Sequence, residues 1–142
     1  EALVTHGGVY VDSDVEPFRP FDPLLGTQAF CAWEDESTIP DAVLGARAHH
    51  PAFEQMLDEA IDAVRRKRGA WESGPGVTTR NLPGRNDVLC LPPGAFYPYH
   101  YLAKSQRTQV TPESMPWVFC VHHWHGSWLS EAQRTSIESN QR

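Results

Sequence analysis

His6-Gly7-Gly8-Val9-Tyr10-Val11-Asp12-Ser13-Asp14-Val15 is the stretch on which the fold turns. Gly7 and Gly8 allow a tight turn or a close backbone approach. Val9 to Val11 have the β-branched and aromatic character of a buried strand. Asp12 and Asp14 fall at its C-terminal end, two residues apart, so an extended backbone points both side chains the same way. Open α/β sheets place their ligands at that end. Two carboxylates on one side suit a hard divalent cation, which takes oxygen ligands. They suit general acid–base work less well, because nothing nearby is apolar enough to hold one protonated. A D-x-D alone arises by chance in many acidic chains; one directly behind a Gly-Gly-led strand is more specific.

The acidic character extends outward from this stretch. Eight carboxylates stand between Asp12 and Asp41, namely Asp12, Asp14, Glu16, Asp22, Glu34, Asp35, Glu36 and Asp41, and Arg19 is the one cation among them. A solvated acidic surface accounts for Glu34 to Glu36 as readily as a site does. The whole chain of 142 residues carries a net charge of −6, which speaks against a nucleic-acid partner, since neutralising phosphates needs a basic face. Its 40% hydrophobic and 11% aromatic content is enough for a core and points to one domain or part of one. No apolar run is longer than the five residues of Trp117 to Val121, far too short to span a bilayer, and no basic-then-apolar signal segment opens the chain. The sequence begins at Glu1, without Met and just before the strand, and reads as a piece of a longer protein. Cys31, Cys90 and Cys120 are odd in number, widely spaced and set among apolar neighbours, which predicts reduced core thiols and not a disulfide framework or a zinc site. The thiols suggest a reducing, cytoplasmic setting, with any membrane association left to other parts of the parent.

Further along, Gln28–Trp33 and Ala42–Ala46 are short apolar runs of strand type. Pro51 opens a helix at a position where its missing N–H does no harm. Phe53, Met56, Leu57, Ala60, Ile61 and Val64 follow the spacing of one buried face. Arg65 to Arg68 end that helix, either as a phosphate or membrane patch or as cations at the negative end of its dipole, with Gly69 at C′. Ser73 to Gly76 is a turn that can seat a second short helix. Val88 to Leu91 reads as a strand, and the Pro-rich loop Pro92 to Pro98 lies too deep among apolar residues to be a linker. The run Val118 to Val121 is again of β type and leads directly into His122, His123, Trp124, His125, Gly126, Ser127 and Trp128. Three histidines within four residues, in a chain of seven, make a metal-site candidate at a strand's end; the alternative is packing or surface histidines. The tryptophans serve core packing or a sugar-stacking platform equally well. Ser130-Glu131-Ala132-Gln133 is a capping-box pattern that predicts a final helix, fraying beyond Ile137.

Taken in order, HGGVYVDSDVEPFRPFDPLL, AFCAWED, AVLGARAHHP, SGPGVTT and VHHWHGSW resemble the DXD-containing sugar transferases. That family includes relatives of the initiation-specific mannosyltransferase and of bacterial capsule and lipopolysaccharide transferases. More distantly it includes the glucosyltransferase domains of large clostridial toxins. The resemblance runs from Leu3 to about Leu129. It implies an α/β fold of GT-A type, a nucleotide-sugar donor, a glycan or lipid-linked acceptor, a divalent metal (Mn²⁺ or Mg²⁺) and retention at the anomeric carbon. By position, Asp12 and Asp14 take the catalytic D-x-D places, both as metal residues, with Asp12 also toward donor hydroxyls and Asp14 as the direct metal ligand. His123, in the frame His123-Trp124-His125-Gly126, completes the metal site, with His122 as the fallback. Gly8, Tyr10, Ser73, Gly74, Ser127 and Trp128 fall on the donor side, and Glu34, Asp35 and Trp124 on the acceptor side. Because the leaving phosphate serves as base in such a retaining scheme, no second catalytic carboxylate is required.

Two departures qualify the resemblance. Asp41 stands where many relatives have Asn, and the N-terminal Rossmann-like half that cradles the nucleotide base is missing. Residues 1–142 therefore read as the C-terminal, metal- and sugar-binding part of one transferase domain, with an open sheet edge expected at Val9–Val11. A non-catalytic sugar-binding module and a metal-dependent hydrolase using the same Asp and His ligands are the alternatives.

Overall fold

The computed structural model describes residues 1–126. The chain runs α1 (Ala2–His6), β1 (Gly8–Val11), β2 (Val15–Pro17), β3 (Ala29–Ala32), β4 (Val43–Ala46), α2 (Pro51–Arg65), α3 (Ala70–Ser73), α4 (Pro75–Asn81), β5 (Val88–Leu91) and β6 (Cys120–His122). It is a mixed α/β arrangement. The main sheet has the order β1-β4-β3-β5, and β2 pairs separately with β6. Strand β4 is antiparallel to both its neighbours, whereas β3 and β5 are parallel. Strands β1, β3 and β5 therefore point the same way. Their C-terminal ends share one edge of the sheet with the start of β4.

Strands β3 and β4 are buried at every residue, as expected of unbroken apolar runs covered on both faces. On one face Ala29, Cys31, Leu44 and Ala46 meet Phe53 and Met56 of α2 and Val77 of α4. On the other, Phe30, Ala32 and Val43 meet Leu24, Phe96 and Cys120. The rings of Phe30, Phe21 and Phe119 surround Phe96 edge to face, and the fully buried Phe30 and Phe96 each contribute about 2–3 kcal/mol by burial. Gly45 makes this face possible, because a Cβ there would stand 2.1 Å from the Phe30 ring.

Helix α2 begins as its sequence predicts. Pro51 occupies the first turn, and the His50 imidazole caps it by accepting the Ala52 N–H at 3.3 Å. The buried face is rotated from the predicted one: Ala52, Phe53, Met56 and Ala63 are inside, while Ile61 and Val64 are exposed. The helix also ends earlier than Gly69. Lys67 takes the left-handed conformation at φ 55°, and the Arg68 N–H returns to the Ala63 carbonyl at 2.9 Å, a Schellman closure made without glycine. The cationic run is thus part of the helix end, with Arg66 also paired to Asp62. The Ser73–Gly76 turn separates α3 from α4 as expected. In α4 the buried Thr78 hydroxyl donates to the carbonyl of Ile39, while Thr79 Oγ1 accepts the Ile39 N–H at 3.0 Å. These bonds fasten the segment that leads to Asp41. The loop after β5 is internal, with Ala95, Phe96 and Tyr97 buried.

Strand β1 departs from the buried strand predicted for Val9–Val11. It lies at an edge of the sheet, with Tyr10 48% and Val11 44% exposed, and its outer edge pairs with no strand among the described residues. The segment before it is not strand either, since Ala2–His6 forms a helical turn. Gly7, at φ 67°, brings this turn so close to Ala48 that a Cβ would stand 2.6 Å from the Ala48 nitrogen. Only glycine fits there. No helix among the described residues is long and apolar enough to cross a membrane.

Candidate metal centre

Asp12 leaves the end of β1, and its N–H is held by the Ala42 carbonyl at 2.8 Å. Asp14 follows a tight turn and precedes β2. The antiparallel register of β2 with β6 sets Val15 opposite His122, which delivers an imidazole to the aspartates from 108 residues further along the chain. His122 Nε2 stands 3.1 Å from Asp14 Oδ1 and 3.8 Å from Asp12 Oδ2. One ligand atom from each of Asp12, Asp14 and His122 lies within 4.8 Å of the others.

Each member of this group is oriented by a neighbour. The Tyr10 hydroxyl donates to Asp12 Oδ1 at 2.6 Å. The bond to Asp12, with burial and the charges of Asp12, Asp41 and Asp14, pushes the phenol up to about 12, so Tyr10 stays a donor at neutral pH. After β6 the chain turns sharply, with Trp124 at φ 55° and Gly126 at φ 57°. The turn aims the His125 N–H at Asp14 Oδ2, 2.9 Å away. Burial pushes the Asp14 carboxyl up, but the His125 N–H and the His122 imidazole outweigh it, and the group rests below its ordinary value. Burial holds the His122 imidazole below its ordinary value against the pull of Asp14 and Asp12, which favours the neutral, ligating form. The Trp124 ring covers His122 at 4.1 Å between centroids, and Tyr97 approaches it at 6.2 Å.

The donor set fits a hard to borderline divalent ion. Two carboxylates and one imidazole suit Mn²⁺ or Mg²⁺ better than thiolate-loving metals. Two atoms bound side by side to one ion at about 2.1 Å stand about 3 Å apart, which is the spacing of Asp14 and His122.

The predicted residues divide between those the fold gathers and those it sends elsewhere. Asp12, Asp14, Tyr10, Trp124 and the fallback ligand His122 come together. His123 does not join them: its Nε2 is 3.0 Å from Glu16 Oε2, and Arg107 approaches its Nδ1 at 3.4 Å. Strand alternation sends successive side chains to opposite faces, so only one of His122 and His123 can face the aspartates. His125 contributes its backbone, while its own ring, 3.9 Å from Asp14, is largely exposed. Gly74 packs against Asp41, where a Cβ would stand 2.7 Å from Asp41 Oδ2. Burial, with the charge of Asp12 adding to it, pushes the Asp41 carboxyl up. Ser73 turns its hydroxyl back to the Ala70 carbonyl at 3.4 Å. Gly8 is at the far end of β1, roughly 13 Å of strand from Asp12. There it lines a cleft of about 250 Å³ with His6, Leu25 and Arg47.

Glu34 leaves the C-terminal end of β3, on the same sheet edge as Asp12. Its carboxyl is buried, with Oε1 accepting no hydrogen bond among the described residues and His100 Nε2 3.3 Å away. Asp35 is a turn residue, accepting the N–H groups of Ser37 and Thr38 at 2.7 and 2.8 Å. Ser127, Trp128 and the helix predicted from Ser130 lie outside the described residues. The sequence did not single out Tyr97 as a neighbour of His122; the aromatic density of Phe96-Tyr97-Pro98-Tyr99 in a buried loop was the available signal. In comparisons with known proteins, no protein-family profile, curated relative or solved structure matches the chain.

Proposed function

We propose that this chain is the metal- and sugar-binding part of a retaining, divalent-metal-dependent glycosyltransferase that moves a sugar from a nucleotide-sugar donor to a hydroxyl acceptor. The observation that carries the reading is the convergence of Asp12, Asp14 and His122 within 4.8 Å at the C-terminal end of β1. The approach of Gly74 to Asp41, whose neighbour Ala42 bonds the Asp12 N–H, adds support, because the resemblance puts the Ser73–Gly76 turn near the donor sugar.

In this reading Asp12, Asp14 and His122 hold the cation. Bound Mn²⁺ or Mg²⁺ supplies positive charge that neutralises the diphosphate as it leaves, worth several kcal/mol, roughly. The Tyr10 hydroxyl and the His125 N–H keep both carboxylates aimed at one point, so little reorganisation is needed on binding. Trp124 keeps water from the His122 side. The acceptor hydroxyl approaches the sugar on the face from which the diphosphate departs. Its proton passes to the leaving oxygen as the new glycosidic bond forms and the old one breaks.

The test is Mn²⁺ titration of the protein, followed by a screen of nucleotide sugars with and without chelator. The expected result is Mn²⁺ binding that Asp14→Asn abolishes without unfolding the chain, and sugar release that chelation stops. A folded protein that ignores Mn²⁺ would overturn the reading. Sugar binding that survives chelation would point to a non-catalytic module, and metal-dependent phosphoester cleavage to a hydrolase.

A further inference from the structure

Two thiols outside the candidate metal centre face each other across the sheet. In the parallel pairing of β3 with β5, Cys31 lies directly opposite Cys90. Both side chains project toward the helices, and their sulfurs are 3.5 Å apart. Neither is in a disulfide. Neighbouring strands are about 4.8 Å apart, inside the Cα separations a disulfide spans. Closing the gap to the about 2.05 Å of an S–S bond needs the two side chains to rotate toward each other. Cys31 is wholly buried, whereas Cys90 is half-buried on β5, the outer strand opposite β1, and can be reached from solvent. Cys120 is buried on the other face, with its sulfur 3.8 Å from the Phe96 carbonyl.

We propose that Cys31 and Cys90 form a two-thiol oxidation site that closes to an intramolecular disulfide when the folded protein meets hydrogen peroxide.

The roles of the two sulfurs follow from their surroundings. The Cys31 S–H donates to the Cys90 sulfur, which holds the Cys90 thiol below its ordinary value and, together with burial, pushes Cys31 up. Cys90, the half-buried sulfur that peroxide can reach, is the attacking thiolate, and the wholly buried Cys31 is the resolving thiol. The Cys90 thiolate attacks one peroxide oxygen, the O–O bond breaks, and Cys90 becomes a sulfenic acid as hydroxide leaves. The Cys31 sulfur then attacks the Cys90 sulfur. The S–O bond breaks, and the Cys31 proton leaves with that oxygen. In sum, two thiols and one peroxide yield one disulfide and two waters, with two electrons passing from sulfur to oxygen. The cross-link ties β5 to β3, the one strand it pairs with among the described residues.

The experiment is a brief treatment of the folded protein with hydrogen peroxide, then denaturing alkylation and peptide mass mapping. The expected result is a loss of about 2 Da, a peptide pair linked through Cys31 and Cys90, and alkylation confined to Cys120, all reversed by dithiothreitol. In Cys31→Ser, oxidation should stop at a Cys90 sulfenic acid that dimedone traps. In Cys90→Ser no link should form. Alkylation of all three cysteines after treatment would overturn the proposal, as would a link through Cys120. A sulfenic acid that accumulates on Cys90 of the unmutated protein while Cys31 stays free would overturn it equally.

Discussion

Glu34→Gln should remove a pH dependence of stability that the fold imposes on one buried carboxyl. The Glu34 side chain is 7% exposed, and burial, with the charge of Asp35 behind it, pushes its carboxyl from an ordinary 4.5 up to about 7. The folded state therefore favours the neutral acid. Below pH 4.5 both folded and unfolded chains hold the proton, and Glu34 contributes no pH dependence. As pH rises through the window from 4.5 to about 7, the unfolded chain releases its proton first, so stability falls. Above that window both states are ionised and the loss is complete. Each pH unit in which the two states differ by one proton is worth about 1.4 kcal/mol, so the accumulated cost is about 3 kcal/mol. Glutamine keeps the shape of the neutral acid and cannot ionise. Urea unfolding followed by tryptophan fluorescence, at a series of pH values across the window, measures the difference between the two proteins. Glu34→Gln should gain stability relative to the parent as pH rises, by about 3 kcal/mol in all, and the gain should level off above about 7. A difference between the two proteins that stays constant with pH would refute the assignment of a buried, neutral carboxyl.

His122→Ala should weaken Mn²⁺ binding by more than the roughly tenfold that losing an outer-shell partner costs, while His123→Ala leaves the affinity nearly unchanged; calorimetric titration of both decides between the two imidazoles. Tyr10→Phe removes the donor to Asp12 at an exposed position, so Mn²⁺ affinity should fall about tenfold with little change in melting temperature; equal affinities would show that the hydroxyl does not orient the carboxylate. Gly45→Ala should destabilise the fold by about 1–3 kcal/mol in a urea melt, because the Phe30 ring it meets is held by Phe21 and Phe96 and cannot retreat.

The features legible in the amino-acid order alone are local. Strands at Ala29–Ala32, Val43–Ala46 and Val88–Leu91 were legible because short β-branched or apolar runs between turn residues are read from neighbours alone. The start of α2 was legible for the same reason, since a proline and a helical apolar period act within a few residues. The Asp12–Asp14 pair, and the cluster of histidines that would meet it, were visible as residue types at suggestive spacings. Tertiary structure decided which histidine does so. The frame His123-Trp124-His125-Gly126 favours His123, but the β2–β6 register places His122 toward the aspartates and His123 beside Glu16. A shift of one residue in that register would reverse the two, and nothing local in either strand specifies it. The same holds for Cys31 and Cys90, 59 positions apart, which meet only because β5 pairs with β3 in one alignment. Lys67 ends α2 in a left-handed turn two residues before Gly69, the residue that local preference favours. Long-range pairing is set by the burial of whole faces, a property of the assembled sheet and helices that no short window of sequence contains.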